Sequence, residues 1–219
     1  MAWEREIKSI PTGKPKIGIC ISHVGEATME WVEKCYGPLR FVGVPWCGKI
    51  PFLCRGVPIA VARTKMVEDA LSAGCTHIFF LDTDHVPESP LDPNEALRLL
   101  YECDADIVTG LYRAKKKEGY PYNIWKRVSG GYTPIESWSG NWFECDVAGI
   151  GNSLIKREVF EKIPKPWFKW EELAPSEDFY FFEKAAKHGF KLWVFADVKF
   201  SHIGSLAVQT DGNIRTLRV

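Results

Sequence analysis

Short apolar runs alternate with amphipathic stretches through the first half of the chain, and each run ends in a polar or glycine-bearing loop. Lys16 to Ser22 (KIGICIS) has the pattern of a buried strand and runs into His23-Val24-Gly25. Residues 26–36 suit a helix, and Phe41-Val42-Gly43-Val44 suits a second short strand. Residues 45–56 hold Pro, Gly and Cys and read as a loop. Pro58 is tolerated near a helix start, and Ile59, Ala62, Met66 and Ala70 follow at three- and four-residue spacing. A helix therefore reaches about Ser72, with Gly74 as its C-terminal cap. Thr76 to Leu81 (THIFFL) is a strongly apolar strand that stops abruptly at Asp82-Thr83-Asp84-His85. Asp92 is placed to cap a helix over 92–103, and Ala105 to Leu111 gives a fourth strand.

Beyond this point the pattern loosens. Residues 112–147 are β-like and irregular, rich in Gly, Trp and Tyr. A short helix covers 156–163, followed by Pro164 and Pro166; Ser176 caps a helix from Glu177 to about Lys187, ended by His188-Gly189. Leu192-Trp193-Val194-Phe195 is a last buried strand, and the tail after Gly204 carries no clear signal. Strand–helix alternation predicts an α/β fold, with a mainly parallel sheet flanked by helices. Such sheets bind ligands outside the carboxyl ends of their strands, where Asp82, Thr83 and Asp84 sit.

Composition narrows the classes. A length of 219 residues and 46% hydrophobic content fit one domain, 1–219, with a core over about 16–204. The 28 basic and 28 acidic residues balance, which gives no electrostatic case for a nucleic-acid partner or a membrane partner. Seven scattered cysteines do not form a disulfide framework, so reduced thiols and a cytoplasmic location are expected. Cys47 and Cys54 have no second ligand pair to complete a zinc site. No apolar run approaches the roughly 18–20 residues of a transmembrane segment, so a membrane lipid could be met only at the surface.

Two carboxylates emerging at a buried strand tip repel each other unless water, donors or a cation compensate them. Mg2+ and Mn2+ favour such oxygens together with substrate phosphates. Ser176-Glu177-Asp178 lies at a helix start, where the dipole alone accounts for acids and where one carboxylate can also face a cleft as a base. His202 follows the last strand. Arg113, Tyr120, Tyr122, Trp125 and Trp142 could shape an acceptor site, or simply pack a β-rich insert.

Taken in order, several segments resemble a GT-A glycosyltransferase close to family 2. They are Ile59–Leu71 (IAVARTKMVEDAL), Ile78–Asp84 (IFFLDTD), Ala105–Leu111 (ADIVTGL), Val147–Ile163 (VAGIGNSLIKREVFEKI), Ser176–Gly189 (SEDFYFFEKAAKHG) and Lys191–Gly204 (KLWVFADVKFSHIG). The resemblance implies a metal-dependent transfer of sugar from a UDP- or GDP-sugar to an acceptor hydroxyl, with Mn2+ or Mg2+ as cofactor. It implies Asp84, His202 and Asp82 at the metal, and Arg63, Asp82 and Thr83 at the donor. Gly149, Gly151 and Glu177 would border the sugar and acceptor pocket, and Asp178 would be the base of an inverting reaction. Thr64 stands where the family often has Asn, and the Q-x-x-R-W motif of processive synthases is missing. A sugar-nucleotide nucleotidyltransferase would carry a glycine-rich basic loop after the first strand, where this chain has His23-Val24-Gly25-Glu26. A non-catalytic nucleotide- or carbohydrate-binding module would not need Asp82, Asp84, Asp178 and His202 together.

Overall fold

The computed structural model describes residues 13–23, 26–41, 46–114, 121–171 and 176–203, together with the backbone of two short strands beyond them. The elements in chain order begin with β1 (Lys16–His23) and α1 (Met29–Trp31), which continues through a π-helical turn (Val32–Tyr36) into α2 (Gly37–Phe41). Next come β2 (Gly48–Arg55), α3 (Ile59–Ser72), β3 (His77–Phe80), β4 (His85–Pro87), α4 (Pro93–Glu102) and β5 (Ile107–Leu111). A β-rich stretch holds β6 (Ile124–Val128), β7 (Gly131–Pro134), β8 (Trp142–Cys145), β9 (Val147–Ala148) and β10 (Ser153–Lys156). The chain then forms α5 (Arg157–Lys162), α6 (Glu177–Lys187), β11 (Leu192–His202), β12 (Leu206–Val208) and β13 (Ile214–Thr216).

The main sheet runs in the order β13-β12-β11-β5-β10-β3-β1-β2. Strands β2, β1 and β3 are parallel, and β11 is parallel to β5. Strand β10 lies antiparallel between β3 and β5, which makes the sheet mixed. Both β4 and β8 pair antiparallel with β11, and a small second sheet runs β7-β6-β9. This is the α/β arrangement expected, a Rossmann-like sheet of GT-A type.

Alternate side chains of each central strand serve opposite layers. Ile78 and Phe80 face α3, α5 and α6, where they meet Met66, Val67, Phe160, Phe181 and Phe182. Phe79 and Leu81 face the other way, towards Trp31, Leu39, Leu97 and Leu100. Each such side chain contributes about 1.5–3 kcal/mol on burial, so the two layers hold the interior strand β3, whose carboxyl end leads into the site.

Asp92 caps α4, its carboxylate accepting from Asn94 N at 2.7 Å and from Glu95 N at 3.0 Å. Ser176 caps α6, and Gly74 takes a positive φ after α3, as expected. Three expectations fail. Residues 45–56 are not a loop: Gly48–Arg55 pairs with β1 along its whole length, from Lys16↔Gly48 to His23↔Arg55. Strand β2 ends the sheet path, and an edge strand tolerates the missing N–H of Pro51. Phe41 closes a helix instead of opening a strand; Val42, Gly43 and Val44 lie outside the described residues, as do Val24, Gly25, Tyr120 and Gly204. The last interior strand runs on past Phe195 to His202, and the tail adds β12 and β13.

All seven cysteines are free and buried. Among the described residues no helix is long and apolar enough to cross a membrane.

Candidate active site and metal centre

The carboxyl ends of β1 and β3 bring Ser22 and the Asp82-Thr83-Asp84 turn together. Helix α3 contributes Arg63, the first turn of α6 contributes Glu177 and Asp178, and the turn before β10 contributes Ile150 and Gly151. Three hydrogen bonds made by its main-chain groups fix the acidic turn. The Asp82 N–H donates to the Gly151 carbonyl at 3.0 Å, the Trp31 indole donates to the Asp82 carbonyl at 3.0 Å, and the Ile203 N–H donates to the Asp84 carbonyl at 2.6 Å. The Cys35 thiol donates to the His85 carbonyl at 3.4 Å. The π-helical turn that carries Cys35 follows directly on Trp31, so this one helical segment braces the loop twice. Such turns recur at functional sites.

One half of the site is a buried ionic cluster around Arg63. Its guanidinium lies 3.3 Å from Asp82 and 3.1 Å from Glu177, and it also pairs with Asp178. Ser22 Oγ donates to Asp82 Oδ1 at 3.3 Å, and the Ile150 N–H donates to Asp178 Oδ2 at 3.3 Å. Among the described residues Arg63 Nε has no hydrogen-bond partner. Both oxygens of Asp178 are thus oriented.

The other half gathers metal-ligating atoms. Asp84, His85 and His202 each offer one, and these atoms lie within 4.8 Å of one another. His202 Nε2 is 2.9 Å from Asp84 Oδ2, and its Nδ1 is 3.0 Å from the Arg113 carbonyl. His85 Nε2 is 3.9 Å from Asp84 Oδ1, and its Nδ1 is 3.2 Å from the Gly151 carbonyl. Burial is the main cause that pulls the His85 pKa down, with Asp84 opposing it, so the ring stays neutral and suited to binding a cation. The buried Tyr112 ring packs against His85 at a centroid distance of 4.0 Å and meets His202 edge-on at 5.6 Å. Burial also raises the Tyr112 pKa well above its ordinary value, which keeps the hydroxyl protonated. The three residues can hold a divalent cation: they combine one carboxylate with two imidazoles, and backbone carbonyls orient both rings.

Two glycines permit this crowding. A Cβ at Gly151 would fall on Asp82 Oδ2 and on the His85 ring, and one at Gly149 would fall on the Tyr112 hydroxyl and Asn123 Nδ2. Any side chain at position 151 would therefore push the two halves of the site apart.

The structure thus brings together six of the residues singled out in the sequence, Arg63, Asp82, Asp84, Glu177, Asp178 and His202, in two subsets. Asp84 and His202 join the ligand cluster. Among the described residues Asp82 lies outside it, on Arg63 and Ser22. Thr83 sits half-buried in the turn between the two acids. Arg63 and Glu177 are enclosed, so they form the floor beneath the carboxylates instead of an open pocket wall. Sequence reasoning missed His85, Tyr112 and Trp31. His85 directly follows the acid pair, but its partnership with His202 depends on β4 pairing with β11, in which those two residues are register partners.

No family model and no curated protein matches the sequence. Among solved structures, the crystal structure of A197 from STIV is similar, with a TM-score of 0.66 at 22% identity, covering 94% of this chain and 95% of that one. The two share a fold over nearly their whole lengths.

Proposed function

We propose that this chain is a metal-dependent glycosyltransferase that moves a sugar from a nucleoside-diphosphate sugar, UDP- or GDP-linked, to an acceptor hydroxyl with inversion. The observation that carries the reading is the pairing of two sites at one sheet end. A ligand set (Asp84, His85, His202) suited to a cation stands beside a carboxylate (Asp178) oriented by Arg63 and by the Ile150 N–H.

In this reading Asp84, His85 and His202 hold Mn2+ or Mg2+. When bound, the cation supplies Lewis-acid neutralisation of the charge that develops on the departing diphosphate. Asp178 takes the acceptor proton. Each carboxylate oxygen has two lone pairs, so an oxygen engaged by Arg63 or Ile150 N–H keeps one for that proton. Asp82, with Thr83 beside it, contacts the donor, and Ser22 and Arg63 fix its carboxylate. Arg63 acts through the carboxylates it orders, because its guanidinium is enclosed. Glu177 balances Arg63 and leaves Asp178 as the acid at the cleft. Gly149 and Gly151 let the main chain pass close to the sugar side of the site.

The test is calorimetric titration with UDP, GDP, ADP, CMP and dTDP, each with Mn2+ and with EDTA, on the wild type and on Asp84→Ala. One nucleotide should bind, and binding should need both the metal and Asp84. The proposal fails if no nucleotide binds under any condition. Retention of configuration in the product would remove the role of Asp178 as base.

A further inference from the structure

We propose that Tyr132 is a positioning residue: from β7 it grips α6, fixes the rotation of that helix, and so sets the Asp178 carboxylate against the glycine turn. The inference deepens the proposed function, and it rests on that reading only for the proton that Asp178 takes.

The small sheet β7-β6-β9 meets Asp178 from two sides. On the helix side, Tyr132 and Trp125 close on Phe179, the residue after Asp178. The Tyr132 ring stands edge-on to Phe179 at a centroid distance of 4.8 Å, and the Trp125 ring lies at 5.0 Å. The Tyr132 hydroxyl donates to Glu183 Oε1 at 2.6 Å. Phe179 and Glu183 are four residues apart, so they sit one above the other on a single face of α6. One tyrosine thus holds that face at two heights. Arg127, its register partner on β6, donates from Nε and Nη2 to the same Glu183 oxygen at 3.0 and 2.6 Å. Its side chain is 48% exposed, however, and such pairs steer little alone.

On the turn side, β6 pairs with β9 at Ile124↔Ala148 and Trp125↔Val147. The Gly149 N–H continues the ladder by donating to the Asn123 carbonyl at 3.0 Å. The next residue, Ile150, gives its N–H to Asp178 Oδ2 at 3.3 Å. The same sheet therefore carries the donor that orients Asp178 and the aromatic grip on the helix that bears it. Rotation is the motion this arrangement resists. A side chain reaches about 5–6 Å from the helix axis, so a turn of roughly 10° moves its tip by about 1 Å. A misplacement of about 1 Å can cost on the order of 100-fold in rate.

The test uses the full chain labelled with 15N, as wild type, Tyr132→Leu, Tyr132→Phe and Asp178→Ala. Amide hydrogen exchange reads the Ile150 N–H against the Ile78 and Val108 amides of the main sheet. Asp178→Ala removes the acceptor and sets the full effect at Ile150. Tyr132→Leu should speed Ile150 exchange at least about tenfold more than exchange at Ile78 and Val108. Tyr132→Phe keeps the ring and loses one hydrogen bond, so it should fall between, at about threefold. Equal acceleration at all three amides, or none at Ile150, overturns the inference, as does an Ile150 amide indifferent to Asp178→Ala. If Tyr132→Leu fails to fold, Tyr132→Phe and Glu183→Gln decide: each should speed Ile150 exchange selectively, and no change in either overturns the inference. Titration with UDP and GDP in the presence of Mn2+ separates the two readings. Affinity should stay within about twofold in the Tyr132 variants, because the ligand cluster does not stand on α6. A chain that passes the exchange test but binds no nucleotide keeps the placement of Asp178 and loses the sugar-transfer reading. A chain that binds nucleotide with metal while Ile150 exchange is unmoved does the reverse.

Discussion

Arg63 meets three carboxylates in a place where solvent contributes little. Its side chain is 5% exposed, Glu177 is 6%, Asp178 is 16% and Asp82 is 26%. Removing one partner of a buried ion pair costs about 3–5 kcal/mol, mainly because the remaining charges lose their compensation. Arg63→Met should therefore lose stability in that range on urea unfolding, and adding Glu177→Gln should restore part of it. An Arg63→Met chain as stable as wild type would show that the cluster carries no net coupling. At this scale the sequence shows Asp84, Asp178 and His202 because each stands at an element end: the tip of a buried strand, the first turn of a capped helix and the close of a strand. It does not show which acid turns towards Arg63. Asp82 and Asp84 are two positions apart in a tight turn, and only the buried guanidinium decides between them. Nor does it show His85, whose partner lies across a ladder between strands far apart in the chain.

Elements were legible where periodicity and capping agree. The helices Ile59–Ser72, Pro93–Glu102 and Glu177–Lys187 start and stop close to where their apolar stripes, Asp92, Ser176 and Gly74 place them. β2 was hidden because Pro51 and the surrounding Gly and Cys imitate a loop, and because an edge strand is only half-buried and lacks a continuous apolar run. α6 holds Asp178 in place through its aromatic underside. Phe181 is fully buried and stacks with Phe160 and Phe168 at centroid distances of 5.5 and 5.1 Å. Phe181→Ala should cost about 3–5 kcal/mol in chemical denaturation. A loss below about 1 kcal/mol would mean that the helix is anchored elsewhere.

For the whole molecule, the α/β class followed from strand–helix alternation, whereas the antiparallel insertion of β10 between β3 and β5 leaves no local mark. Stability against pH gives a further check. His77 begins β3 with its ring edge-on to Tyr101, and its pKa is pulled from 6.5 down to about 4 by burial first and by Lys156 second, with Asp104 opposing. Between those values the unfolded chain binds the proton and the folded chain does not. Stability should thus be complete above about pH 6.5 and fall as the pH drops towards 4. Urea midpoints taken across that window should fall more steeply for wild type than for His77→Gln. Equal slopes would remove His77 as the source.

The position of His202 has one more consequence, in the order of synthesis. It lies 118 residues after Asp84, on a strand that sits inside the sheet between β5 and β12. A chain emerging from the ribosome presents Asp84 and His85 long before their partner exists, and domains fold as units while the chain is still being made. Any product cut short before β11 carries the acid pair without the strand that completes it. A site that joins Asp84, His85 and His202 can therefore assemble only after β11 has been made.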